Sequence, residues 1–132
     1  MNIRSYSALI ILVLLSVAAP ILAHHAFSAM FDYNKPITVT GVLTKVDWVN
    51  PHSYHYVEGK DEKGNMVTWA IESAPPGLLR RVGVTRDMFK IGMGVSVDGW
   101  AAKDPTKRLL FAKTFRFADG RTIHTRTENL ND

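Results

Sequence analysis

Four histidines and one glutamate have the types and spacing that indicate ligand chemistry in this sequence. His24 and His25 are adjacent, His52 and His55 lie three residues apart, and Glu72 follows them in the chain. Imidazole nitrogens and carboxylate oxygens are common ligands of zinc, and copper(II) favours sets of nitrogen ligands. The chain contains no cysteine that could add a thiolate. These five residues are therefore the candidate metal ligands.

The meaning of the double histidine depends on the segment that precedes it. Arg4 is the one charge before Ala23, and Ala8 to Leu15 is an apolar run. A charged start, a short apolar core and a small final residue are typical of a secretory signal peptide. We expect removal of residues 1–23 and a periplasmic or secreted protein, with cleavage after Ala18 as the alternative. The apolar segment is shorter than the ~20 residues of a spanning helix, so we expect no stable membrane span after cleavage.

Cleavage after Ala23 would give His24 a free α-amine beside its imidazole. Such an amine has a pKa near ~8 and can bind a metal at neutral pH, together with the imidazole of His24 or of His25. The thioether of Met30 would suit copper(I). The alternative is a chain end whose two histidines bind nothing.

Five β-strands and one short helix are predicted to position these residues. β-Branched and alternating apolar residues indicate the strands, and two prolines followed by leucines and a glycine indicate the helix. We expect a bend in the first strand near Gly41. The predicted strands are Ile37–Asn50, His52–Gly59, Met66–Glu72, Met93–Ala102 and Arg108–Ala118, and the predicted helix lies within Ser73–Val84.

This order predicts a mostly β fold, a five-stranded OB-fold-like barrel with a short helix between strands three and four. An open sheet or a small sandwich is the alternative. The predicted barrel domain spans residues 37–120. It follows a lead-in of residues 24–36, and a polar tail of residues 121–132 comes after it.

Alternation along the second strand places His52, Tyr54 and Tyr56 on one face and His55 on the other. Both histidines can bind one metal only if the chain bends, and the corner before His52 could supply that bend. His52 could instead hydrogen-bond the backbone of the turn. Glu72 is either a ligand, a partner that orients an imidazole, or a favourable charge at the start of the following helix.

Several motifs resemble an uncharacterised family of small secreted bacterial proteins, classed as a domain of unknown function. They are His24-His25-Ala26-Phe27, Gly41-Val42, Trp48-x-Asn50-Pro51-His52, and Trp69-x-x-Glu72 followed by Pro75, Leu79, Arg81 and Gly83. Val84 stands where the family often has tryptophan, and Met93-Gly94 stand where Gly-Asp is usual. The resemblance covers nearly all of residues 24–120 and implies no established activity.

These observations favour a secreted metal-binding protein, with copper as the first candidate and zinc as the second. One alternative is an OB-fold module that binds a glycan, a peptide or a small ligand on the face of Trp48, Asn50, Tyr54 and Tyr56. Another is an envelope adaptor without a metal. An enzyme has the least support, because no nucleophilic triad or phosphate-binding loop is present. The 16 Lys+Arg and 12 Asp+Glu residues are interspersed, so we expect no nucleic-acid partner.

Overall fold

Most of the described chain is β-structure, which confirms the predicted class. The computed structural model describes residues 28–61 and 63–125, and the chain divides into residues 1–30 and residues 31–132. In the described part of the second unit, six strands and two short helical segments occur. They are β1 (Phe31–Asp47), β2 (Ser53–Lys60), β3 (Met66–Ser73), α1 (Pro76–Arg81), a 3-10 turn (Arg86–Met88), β4 (Gly94–Ala102), β5 (Leu109–Phe117) and β6 (Thr122–His124).

Strand β1 begins at Phe31, before Ile37, where the sequence predicts its start. Phe31 pairs with Ala102 of β4, and the register of the two strands then shifts before Pro36. The Phe31 side chain is buried, and its ring centroid lies 5.5 Å from that of Phe111. The intervening polar residues have no alternating pattern. Pairing with β4 and burial of Phe31 therefore extend the strand where local propensity does not predict it.

Gly41 allows β1 and β2 to approach each other closely. A Cβ atom at Gly41 would lie 2.0 Å from the carbonyl oxygen of Glu58, which is far inside van der Waals contact. The sequence predicts a bend at this glycine, but the register of β1 against β2 shifts between Leu43 and Lys45. The glycine is thus needed for the approach of the two backbones, and the irregularity lies next to it.

Each strand from β1 to β5 pairs with two other strands of this group. β1 pairs with β2 and β4, β2 with β3, and β4 with β5, all antiparallel. β3 and β5 pair in parallel, and β6 adds to the other side of β5. The pairings therefore run from β1 through β2, β3, β5 and β4 back to β1.

The α1 helix lies between β3 and β4, where the sequence predicts a helix. It begins after Pro75, and a proline is tolerated in a first helical turn because its missing N–H would have no partner there. It is followed by Gly83, whose φ of 80° favours glycine. Leu79 of the helix is fully buried in a core to which all six strands contribute.

The two predicted flanks are only partly covered by the structure. Residues 1–27 lie outside the described residues, so the predicted signal peptide and the first part of the lead-in do as well. Residues 28–30 are helical. Thr122–His124, predicted as polar tail, form β6, where Ile123 is buried against the core, and residues 126–132 lie outside the described residues.

Candidate metal site

The pairing of β2 with β3 brings His52 and Glu72 to the same end of the sheet. Ser53, the first residue of β2, pairs with Ser73 at the end of β3, and Tyr54 pairs with Glu72. His52 immediately precedes this ladder, after the exposed Asn50–Pro51 corner, whose peptide bond is cis. The strand register thus places the corner histidine beside the carboxylate.

His52 and Tyr54 both contact the carboxylate of Glu72. The Nδ1 atom of His52 lies 2.6 Å from Oε1 of Glu72, and the Tyr54 hydroxyl donates to Oε2 at 3.1 Å. The Glu72 side chain is 3% exposed, whereas the His52 side chain is 44% exposed. Both carboxylate oxygens are therefore engaged inside the protein, and the imidazole remains open to solvent.

The contact with Glu72 determines which nitrogen of His52 can bind a ligand. An ionised carboxylate only accepts hydrogen bonds, so the short contact requires the proton on Nδ1. In the neutral ring the lone pair is then on Nε2. Histidines that bind metals commonly donate their other N–H to a carboxylate in this way, which fixes the ring and raises its basicity. The arrangement can therefore present one nitrogen ligand.

Tyr54 holds the other oxygen of the glutamate. Burial raises the pKa of Tyr54 to about 12, and the negative charge of Glu72 adds to the increase. The phenol therefore keeps its proton at physiological pH and acts as a donor. Tyr54 was predicted to lie on a ligand-binding face, and its role as a donor to Glu72 was not predicted. Its position opposite Glu72 in the β2–β3 hairpin was the signal that could have revealed it.

His55, another predicted ligand, lies inside the core. Its exposed fraction is 0%, and its ring centroid lies 4.3 Å from that of Phe89 and 4.8 Å from that of Phe115. Neither ring nitrogen has a hydrogen-bond partner among the described residues. Burial lowers the pKa of His55 to about 4. The nearby backbone of Ile71 opposes this shift in part, although it makes no hydrogen bond of normal geometry with the ring. His55 is therefore neutral near pH 7.

The predicted ligand-binding face does not form as one surface. Trp48 is half-buried and packs against the core. Tyr54 and Tyr56 are half-buried on the opposite face of the sheet from the inward residues of β2, and the Lys45 ammonium lies 4.8 Å from the Tyr56 ring centroid. Asn50 is exposed at the corner. The two tyrosines thus share a face from which Trp48 is absent.

The described residues contain no group of three or more histidine, cysteine, aspartate or glutamate side chains that could hold a metal ion. His124 is exposed, and its Nδ1 lies 3.2 Å from the hydroxyl of Thr114. Met30 is 46% exposed. His24 and His25 lie outside the described residues, so any site that includes them extends beyond His52 and Glu72.

The chain matches the model of a known protein family. A model described as a family of unknown function (DUF6152) matches residues 11–110. No curated protein and no solved structure matches the chain. Within the part of the chain that the structure covers, no helix combines the length and the apolar character needed to cross a membrane.

Proposed function

The chain belongs to this family of unknown function, and we propose that it is a secreted or periplasmic protein that binds a metal ion, copper first and zinc second. His24 and His25 are candidate ligands near the mature N-terminus, and His52 is a further candidate ligand through Nε2. The observation that supports the proposal most directly is the 2.6 Å contact between His52 Nδ1 and the buried Glu72 carboxylate.

Stability alone does not account for this pair. A hydrogen bond to a charged group contributes about 1.5–3 kcal/mol, whereas removing a carboxylate from water costs several kcal/mol before its hydrogen bonds are counted. The pair holds the imidazole of His52 in one orientation at the surface. A fixed ring loses less entropy on binding a metal, so the arrangement favours a ligand role for the histidine.

Glu72 orients His52 in this proposal and does not bind the metal. Both of its oxygens are engaged, one by His52 and one by Tyr54. His55 is left out of the ligand set, because it is buried among aromatic rings on the inward face of β2. Binding a metal there would require a charged ion to enter the core without an acidic neighbour.

The other candidate ligands belong to the start of the mature chain. Removal of residues 1–23 would leave His24 with a free α-amine, so that one residue offers two nitrogens, and His25 adds an imidazole. Nitrogen ligands of this kind are those that copper(II) prefers. Zinc is second because a given set of nitrogen ligands generally binds zinc(II) less tightly than copper(II).

The fold proposed for the strands is a closed OB-fold-like barrel. The support is the cycle of pairings from β1 through β2, β3, β5 and β4 to β1, together with a helix between β3 and β4. β6 is an addition outside that cycle. A closed arrangement would fix the ends of β2 and β3 firmly, and those ends hold His52 and Glu72.

The test is calorimetric titration of copper(II) and of zinc(II) into the mature chain that begins at His24, in competition with a chelator of known affinity. We expect His52→Gln to lose one ligand and Glu72→Gln to weaken binding about 10–100-fold, as is usual for a partner that orients a metal ligand. His124→Gln is the matched control, because it removes an exposed histidine away from this site.

A second comparison tests the amine. Addition of one methionine before His24 should weaken copper binding and leave the thermal unfolding temperature unchanged. Equal affinity of both forms would remove the amine from the ligand set, and equal effects of His52→Gln and His124→Gln would remove His52 as well.

A further inference from the structure

A cavity lies beyond the end of the β1–β2 ladder, away from the His52 corner. The β1–β2 ladder ends at the pair Val42–Glu58, whereas β1 remains paired with β4 as far as Pro36. The β2–β3 loop and the β4–β5 loop contribute to the walls of this space, which we call the β1 cavity. Its volume is about 490 Å³, within the range of about 300–1,000 Å³ that small-molecule sites have.

The inner wall of the β1 cavity is apolar. Val39 and Ala101 are buried, and Ile37 and Trp69 are half-buried beside them. A half-buried tryptophan offers a large flat surface to a bound molecule. An apolar group inside the cavity would thus be removed from water on several sides.

The outer wall is cationic. Asp61 is the one acidic residue that lines it among the described residues, and Glu62 in the same loop lies outside them. Basic residues from three segments of the chain surround the same opening. They are Lys35, Lys60, Lys63, Lys107 and Arg108.

The charge of Asp61 is already engaged. Its Oδ1 accepts hydrogen bonds from the backbone N–H groups of Lys63 and Asn65, both at 2.9 Å. Its Oδ2 lies 3.3 Å from Nη2 of Arg108, whose guanidinium is 6.0 Å from the centroid of the Trp69 ring.

The lysines of the outer wall make no ion pair with a described residue. The cavity therefore has excess positive charge beside its apolar wall. Between Pro36 and Val39, β1 is paired only on the β4 side, so backbone groups of this segment also face this space.

We propose that the β1 cavity binds a small amphiphilic anion, a molecule with one carboxylate or phosphate head group and a short apolar body. The head group lies among the lysines, where opposite charge attracts it. The body lies against Trp69, Ile37 and Val39. This site is separate from the proposed metal site, and its test needs no metal.

The first experiment measures binding of sodium hexanoate and sodium octanoate to metal-free mature protein by NMR titration. Each methylene buried in the cavity should strengthen binding about fourfold, the factor that corresponds to ~0.8 kcal/mol. The indole N–H signal of Trp69 should shift, and 1-hexanol and inorganic phosphate should each bind more weakly than hexanoate. Equal affinities of the two carboxylates, no binding at millimolar concentration, or shifts that leave Trp69 unaffected would overturn the proposal.

The second experiment tests the charge. Lys107→Glu should weaken octanoate binding about threefold, in the range expected for an exposed charge, whereas Lys90→Glu should leave it unchanged. Both side chains are exposed, and only Lys107 lines the cavity, so the pair is matched in charge and differs in place. An equal effect of the two substitutions would show attraction by net charge only and would contradict a site at the β1 cavity. A phosphate head group is compared by replacing octanoate with octyl phosphate.

Discussion

Acidification from pH 6.5 to pH 4 is expected to destabilise the folded protein through His55. The unfolded chain binds a proton at this imidazole with a pKa near 6.5, whereas the folded chain does so only near pH 4, because the ring is buried among aromatic side chains. Between these values the unfolded state holds more protons. The free energy of unfolding therefore rises with pH in this window and falls as the pH is lowered.

The size of the effect follows from the shift. Each pKa unit corresponds to 1.36 kcal/mol, so the change from 6.5 to about 4 at His55 gives a loss of about 3 kcal/mol across the window. Above pH 6.5 the ring is neutral in both states and contributes no pH dependence. Below pH 4 the folded state also takes up the proton, and the contribution of His55 levels off.

The assay is urea unfolding followed by circular dichroism, at half-unit steps from pH 7.5 to pH 4, for the wild type and His55→Leu. Leucine has similar volume and cannot titrate, and its lack of polar atoms avoids the unpartnered ring nitrogens. The variant should be at least as stable at pH 7.5, and it should lack about 3 kcal/mol of the acid-dependent loss. His55→Phe is the second variant if leucine does not pack. An equal acid-dependent loss of unfolding free energy in the wild type and in both variants would show that protonation of His55 does not cause the loss.

Two further pairs of substitutions, each a test and its matched control, probe the packing that positions the site by urea unfolding at pH 7.5. Gly41→Ala should destabilise by about 1–3 kcal/mol, because its Cβ would overlap the carbonyl oxygen of Glu58, whereas Gly77→Ala in α1 meets no atom within 4 Å and should stabilise by about 0.5–1 kcal/mol. Leu79→Ala should cost about 2–5 kcal/mol, because Leu79 is fully buried, and Leu78→Ala, at a position 38% exposed, should cost less than about 0.5 kcal/mol. If Gly41→Ala unfolds with the same free energy as the wild type, the close approach of β1 and β2 is contradicted. Equal destabilisation by Leu79→Ala and Leu78→Ala would contradict the burial of Leu79 in the core.

The strands that alternate clearly could be predicted from the sequence. In β2 the inward residues are buried and Tyr54 and Tyr56 are half-buried, as the period of two predicts. The helix between β3 and β4 was predicted from Pro75-Pro76 and Gly83. These features depend on local patterns, which a single sequence contains.

The features that depend on distant partners could not be predicted. The start of β1 at Phe31 depends on pairing with β4, and β6 depends on the free side of β5. The sequence suggested that Glu72 could orient His52, but only the strand register shows the contact. The cations around the β1 cavity come from separate segments of the chain, and no local pattern brings them together.

In the proposed metal site, His52 binds the metal through Nε2. Pulsed electron paramagnetic resonance of the copper(II)-loaded mature chain tests it directly, because the remote nitrogen of each bound imidazole modulates the signal. We expect His52→Gln to remove one imidazole from the copper signal and His124→Gln to leave the signal unchanged. An identical signal from the wild type and His52→Gln would show that His52 is not a ligand, and a mature chain that binds no copper would exclude a copper site.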